Sequence, residues 1–212
     1  MRSSIAFLLV LTLNITGCRH CVQIEDISAA PAVIAADTVF ANVFTPLDGK
    51  WRGKFTVYVD ERGQVVGTPQ PRDIDEQFFR SLPLKVDLVV EVEQEYKSES
   101  PYFQRVTIRD AYVDQEGERT VSESRGVNKI QDGKMWCVVE KADETVIHAG
   151  ELQGKRTIVW HRHLVDPLKL EYFKETVLET SYRILGWGYY GDDDPELSPR
   201  YWFEATYTRV EE

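Results

Sequence analysis

The sequence predicts an all-β protein: an antiparallel meander of about 8–10 strands closed into a barrel, with one or two short helices. Three observations carry this. From Leu47 onward, apolar and polar residues alternate with period two in run after run. Those runs are rich in β-branched and aromatic residues, which suit a pleated, half-buried surface. The joints are short and made of turn residues, as at residues 114–117, Asp132-Gly133, Gln153-Gly154 and residues 192–195. Short joints favour antiparallel neighbours, because a parallel pair needs a crossover of about a dozen residues. Closing the meander removes its exposed edges. A sandwich is the alternative that the pattern leaves open.

The chain has 212 residues, 42% hydrophobic and 28% charged, enough for one sizeable core. Its formal charge of −10 argues against nucleic acid and against adhesion to anionic lipid through basic patches. Residues 1–17 read as a signal peptide: Arg2 supplies the positive end, and Ile5 to Leu13 an apolar run about half as long as a membrane-spanning helix. The next motif, Ile15-Thr16-Gly17-Cys18, resembles the lipobox of bacterial lipoproteins. That resemblance implies cleavage before Cys18, acylation of its thiol and new N-terminus (palmitate and similar chains), and a membrane anchor. With Arg19 where inner-membrane lipoproteins commonly carry Asp, it implies the outer membrane, facing the periplasm.

Residues 18–46 read as a tether with room for one short helix, since the alanine-rich stretch around residues 28–37 is small and featureless. Asp37 is placed to cap a helix over TVFANVF that ends before Pro46. An oxidising compartment permits a Cys21–Cys137 disulfide, but nothing in the sequence brings the two together, and a buried Cys137 with an unpaired Cys21 is the alternative.

Residues 47–212 form the barrel domain. In the first strand Trp51, Gly53, Phe55, Val57 and Val59 share one face; in the second Leu84, Val86, Leu88, Val90 and Val92 do. Between them DIDEQFFRSL predicts a short helix with Phe78, Phe79 and Leu82 as apolar contacts, bounded by prolines. The rest reads as one strand after another. The opening Asp48-Gly49-Lys50-Trp51-Arg52-Gly53 resembles the G-x-W start of calycin barrels, the group of lipocalins, fatty-acid-binding proteins and nitrobindin-like haem barrels. The resemblance implies that Trp51 closes one end and that a basic residue near the end of the last strand, here Arg209, lies across its indole. Haem-binding members continue with a further glycine where this chain has Phe55, and no cofactor is expected.

His161 and His163 share a strand face at a spacing that suits two metal ligands, with His148 as the nominee for a third. Ile158, Trp160 and Leu164 look like the apolar face of that strand, however, which leaves the histidine pair in solvent and no metal expected. The acidic run 192–196 lacks the spacing of a calcium loop and reads as a hairpin. Motifs of the common enzyme classes are missing: G-x-S-x-G, H-E-x-x-H, the P-loop and G-x-G-x-x-G. The aromatic-rich end reads first as core. Read as a pocket, it offers Tyr182, Trp187, Tyr189, Tyr201, Phe203 and Tyr207 as ligand-binding residues, with Gly186 and Gly188 marking a bend or bulge beside Trp187.

The resulting expectation is a lipid-anchored envelope protein that binds a small apolar or amphipathic ligand in a β-barrel without catalysis. The alternatives are a structural or interaction lipoprotein with a filled barrel, and an enzyme with its site at the barrel mouth.

Overall fold

Period-two alternation does build a cylinder. The computed structural model describes residues 22–113 and 117–211; the signal peptide, Cys18 and Cys21 lie outside them. Ten strands follow one another: β1 (Gly49–Asp60), β2 (Leu84–Ser100), β3 (Phe103–Val113), β4 (Arg119–Gln131), β5 (Lys134–Glu140), β6 (Thr145–Leu152), β7 (Thr157–Val165), β8 (Leu168–Val177), β9 (Ser181–Tyr190) and β10 (Tyr201–Val210). Each pairs antiparallel with its sequence neighbours, and β1 pairs with β10 from Lys50↔Val210 to Val59↔Tyr201, so the sheet closes and no strand edge is left open. The alternative sandwich is thereby excluded.

One end is plugged. The chain from Ala35 to Leu47 makes two 3-10 turns across it, with Leu47 buried beside Trp51 and Phe44 buried against Trp160. The Trp51 indole N–H donates to the Leu47 carbonyl at 2.7 Å. Arg209, directly opposite Trp51 in the register, holds its guanidinium carbon 4.3 Å from the indole centroid and donates to the carbonyls of Pro46, Asp48 and Glu179. Strands pair all the way to this end, while the opposite end, bounded by the β1–β2, β3–β4, β5–β6, β7–β8 and β9–β10 connections, carries no such plug among the described residues.

Two segments wrap the outside. The first corrects the tether: from residue 22 onward it belongs to the folded body. Ile24 and Ile27 pack on Phe103, Val127 and Val138 of the outer wall, and the buried Lys129 ammonium donates to the Gln23 and Asp26 carbonyls. Asp37 sits at the third position of a 3-10 helix (Ala35–Phe40) instead of capping a longer one. Its carboxylate accepts from the Ile34 and Gly133 N–H groups, pinning the segment to the β4–β5 turn. The second segment, residues 61–83, is a strap over β7–β10 that contains α1 (Glu76–Ser81), N-capped by Asp75. Between the wraps the outer wall is ionic, with Arg52–Glu93, Arg105–Glu99 and Arg125–Glu123 pairs; that is unlike the apolar band of a membrane-spanning barrel. No helix among the described residues is long and apolar enough to cross a membrane.

Candidate functional site: the barrel interior

Antiparallel partners share a sheet face, so the register sorts every side chain into inward or outward. Trp51, Gly53, Phe55 and Val57 point inward, and their partners carry that assignment round the cylinder: Tyr201, Phe203, Ala205 and Tyr207 on β10, then Tyr182, Ile184, Gly186 and Gly188 on β9, then Glu171, Phe173, Glu175 and Val177 on β8, then Ile158, Trp160 and Arg162 on β7. His148, Cys137, Asn128, Gln104 and Ile108 continue the inner face through β6 to β3.

Alternation therefore divides the six aromatic residues proposed from sequence. Tyr182, Tyr201, Phe203 and Tyr207 face the interior. Trp187 and Tyr189 face outward, covered by the strap, where the Trp187 indole donates to the Pro71 carbonyl at 2.7 Å and the Tyr189 hydroxyl to the Leu197 carbonyl at 2.8 Å. No single cavity holds all six. The histidines divide too: His148 points in, whereas His161 and His163 are outside, His161 against the edge of Tyr172 and His163 exposed. Among the described residues no group of three His, Cys, Asp or Glu is placed to hold a metal ion.

The interior has three layers above the plug. Lowest are Tyr96, Tyr182, Tyr207, Cys137, Trp160 and Glu175. The phenol rings of Tyr182 and Tyr207 stack 4.5 Å apart. Glu175 is 6% exposed, and one of its carboxylate oxygens has no hydrogen-bond partner; nor has the Tyr182 hydroxyl. Burial pushes the Glu175 carboxyl up to about 7, against a hydrogen bond from Trp160. Burial first, and then the Glu175 charge, push the Cys137 thiol up to about 12. Tyr96, Tyr182 and Tyr207 are also held above the usual phenol range, foremost by burial.

In the middle, Phe55, Phe173 and Phe203 form an aromatic belt, with Phe203 stacked on Phe55 at 5.6 Å and on Phe173 at 5.3 Å. Gly186 makes this packing possible: a Cβ there would meet the Tyr172 carbonyl at 2.4 Å and the Phe173 ring at 2.9 Å. Gly188 likewise leaves room for the Tyr190 ring, which a Cβ would meet at 2.6 Å. The β8–β9 and β9–β10 registers run unbroken past both glycines, so they mark close side-chain approach and not the expected bulge.

Uppermost is a polar network. His148 Nε2 lies 3.0 Å from a Glu171 oxygen, and the Tyr190 hydroxyl donates to the other at 2.8 Å. Arg162, 7% exposed, donates to Glu144 at 2.8 Å and stands 3.8 Å from Glu171, while Lys169 donates to Glu144 at 2.7 Å. Burial alone would raise Glu171, but the His148 and Tyr190 hydrogen bonds and the Arg162 charge outweigh it and hold this carboxyl below its usual value. Arg162 and Lys169 hold Glu144 down at about 2.

Phe55, Val57, Leu88, Val90, Ile108, Cys137, His148, Phe173 and Ile184 all point inward and are only partly buried. Glu171, Glu175, Arg162, Asp110, Phe55 and Phe173 were not among the residues nominated from sequence. Glu171-x-Phe173-x-Glu175 carried the available signal, two acids in phase with an aromatic on a strand that alternates.

No family model and no curated protein matches the chain. Among solved structures it is similar to the S-type phycobiliprotein lyase of Guillardia theta, at 9% identity and TM-score 0.46, over 80% of this chain and 90% of that one. It is also similar to two redesigned β-barrels. One matches at 12% identity and TM-score 0.34 over 81% of this chain and 97% of that one. The other, bound to DFHBI, matches at 11% identity and TM-score 0.33 over 77% and 99%. Likeness at this level assigns no function to the chain.

Proposed function

We propose that this is a lipid-anchored envelope protein whose barrel takes up a small amphipathic ligand through its unplugged end, without catalysis. The observation that carries the binding role is the ring of inward, incompletely buried apolar side chains around the Phe55–Phe173–Phe203 belt, with a polar rim above it. Apolar walls with a few convergent polar groups are the usual make-up of a small-molecule site. The anchor rests on Ile15-Thr16-Gly17-Cys18 and the outer-membrane address on Arg19; incorporation of labelled palmitate, lost in Cys18→Ala, tests the first.

Binding is tested by titrating the full chain with the neutral fluorophore N-phenyl-1-naphthylamine. Saturable one-to-one binding is expected. Ile184→Trp, which fills the cup from its wall, should weaken it at least tenfold while leaving the unfolding midpoint nearly unchanged. Absence of saturable binding, or equal binding by the filled variant, overturns the reading.

One observation favours a second, catalytic reading: β8 carries two inward carboxyls with opposed shifts, Glu171 held down and Glu175 pushed up. Turnover of an ester or glycoside that disappears in Glu171→Gln would decide for it.

A further inference from the structure

Charge inside the barrel is not balanced. At the rim Arg162 and Lys169 are matched by Glu144 and Glu171. Deeper in, Glu175 has neither ion pair nor partner for one oxygen, and the Tyr182 hydroxyl beside it is also unpartnered, at 6% and 1% exposure. Asp110, inward on β3, has Lys141 as its countercharge among the described residues, and both Asp110 and Glu175 act on Tyr207 between them. A buried polar group without a partner is costly, and most such groups in native proteins are satisfied by something. Immediately above Glu175 on the same strand face stands Phe173, partly buried in the aromatic belt.

We propose that the barrel's ligand is an organic cation, an amphipathic amine or quaternary ammonium, whose charged head lies among Glu175, Asp110, Tyr182 and Tyr207 beneath the aromatic belt. This deepens the binding role proposed above and rests on it. A cation supplies what the site lacks: a countercharge for Glu175 and Asp110, and, for a protonated amine, donors for the idle Glu175 and Tyr182 oxygens. Aromatic faces attract the same charge through their quadrupoles. An anion would meet two carboxyls and three phenols in a low-dielectric space, and a neutral alcohol would leave the charge uncompensated. The groups facing Glu175 are Tyr96 from β2, Cys137 from β5, Trp160 from β7, Tyr182 from β9 and Tyr207 from β10, none of them cationic. Since burial holds the Glu175 proton until about pH 7, cation binding strengthens as pH rises through that value.

The test uses three probes of equal chain length on the full chain carrying Cys18→Ala, which removes the expected lipid and the need for detergent: hexyltrimethylammonium, hexanol and hexanoate, each displacing N-phenyl-1-naphthylamine. The ammonium should bind at least tenfold more tightly than hexanol at pH 8 and hexanoate most weakly. The ammonium's advantage should shrink at pH 5.5 and fall at least fivefold in Glu175→Gln, an isosteric change whose unaltered circular dichroism and cooperative urea unfolding report an intact fold. Equal binding of all three probes, a preference for hexanoate, or an ammonium preference that survives both Glu175→Gln and Asp110→Asn overturns the cation assignment while leaving the ligand-binding role standing. Failure of the fluorophore itself to bind overturns that role instead.

Discussion

Arg209 does at one residue what the plug needs. Its guanidinium lies on the face of Trp51, which is 1% exposed, and ties three carbonyls from two connections to the closed end. A partly exposed cation–π contact and charge-assisted hydrogen bonds together put Arg209→Gln at a cost of about 1–2 kcal/mol, read as a lower urea midpoint. Trp51→Phe should couple to it in a double-mutant cycle; strict additivity would mean the stack contributes nothing. The pairing was legible in the sequence because closing a meander sets the start of the first strand against the end of the last. Glu175 was not legible as special, because its burial comes from residues contributed by five other strands. It also makes a sign-definite prediction. With the folded carboxyl at about 7 and an ordinary value of 4.5, the unfolded chain releases this proton first. The destabilisation is absent below about pH 4.5, grows between 4.5 and 7, and is complete above 7. Glu175→Gln should therefore raise stability by on the order of 2–3 kcal/mol at pH 8 and change little at pH 4.5. A gain that is equal at both pH values would remove Glu175 titration as its cause. Glu144 acts in the opposite sense: its ion pairs stabilise above about pH 4.5, and that contribution fades as pH falls toward 2.

At the scale of elements, the strap explains why the sequence announced strands but not which of their faces is inside. β9 is apolar on both faces, and β8 turns its more apolar side outward, since Tyr172, Leu185, Trp187 and Tyr189 on the outside are covered by Ile74, Phe78 and Phe79 while Glu171 and Glu175 point in. Two-sided burial erases the alternation that separates core from surface in a singly covered strand. Parity survives it: Trp187 is out of phase with Tyr182, as their spacing of five requires. The unused signal was the apolar side of the 76–81 helix, which needs a surface to cover. The outer layer is stitched by polar tips. The Tyr172 hydroxyl donates to the Arg72 carbonyl at 2.5 Å, Lys174 to that of Ile74 at 3.2 Å, and Trp187 to that of Pro71. Trp187→Phe removes a buried donor and part of an apolar contact, so about 1–3 kcal/mol should be lost and proteolysis within residues 61–83 should speed up. Affinity for N-phenyl-1-naphthylamine should stay as it was. A large loss of affinity would mean that the outer aromatic layer communicates with the interior.

For the whole molecule, the proposed anchor at Cys18 and the described N-terminal segment together predict which way the barrel faces. The Gln131 side chain donates to the Val22 carbonyl at 2.6 Å, at the closed end where β4 turns into β5. Four Cα–Cα steps lead from Val22 to Cys18, and a fully extended chain covers at most about 3.5 Å per step, so the attachment point of the proposed lipid lies within roughly 14 Å of that point. If Cys18 carries the proposed lipid, an anchor this short would hold the plug toward the bilayer and turn the unplugged mouth to the aqueous side, so that a ligand would arrive from solution and not from the membrane. The outer wall's ion pairs fit a body that stands in water. Fluorophores at Lys134→Cys, beside the plug, and Asp192→Cys, at the mouth, can read this orientation in the lipidated full chain carrying Cys21→Ser, reconstituted with gadolinium-chelating lipid. The Cys137 thiol, which points into the barrel and is pushed up to about 12, should not take the label. Ten paired residues at the usual strand tilt separate the two ends by roughly 25 Å, comfortably resolved by paramagnetic quenching. Strong quenching at position 134 with weak quenching at 192 is the expected outcome. The reverse order would place the mouth on the membrane, making the bilayer the source of the ligand and removing the case for a water-borne cation.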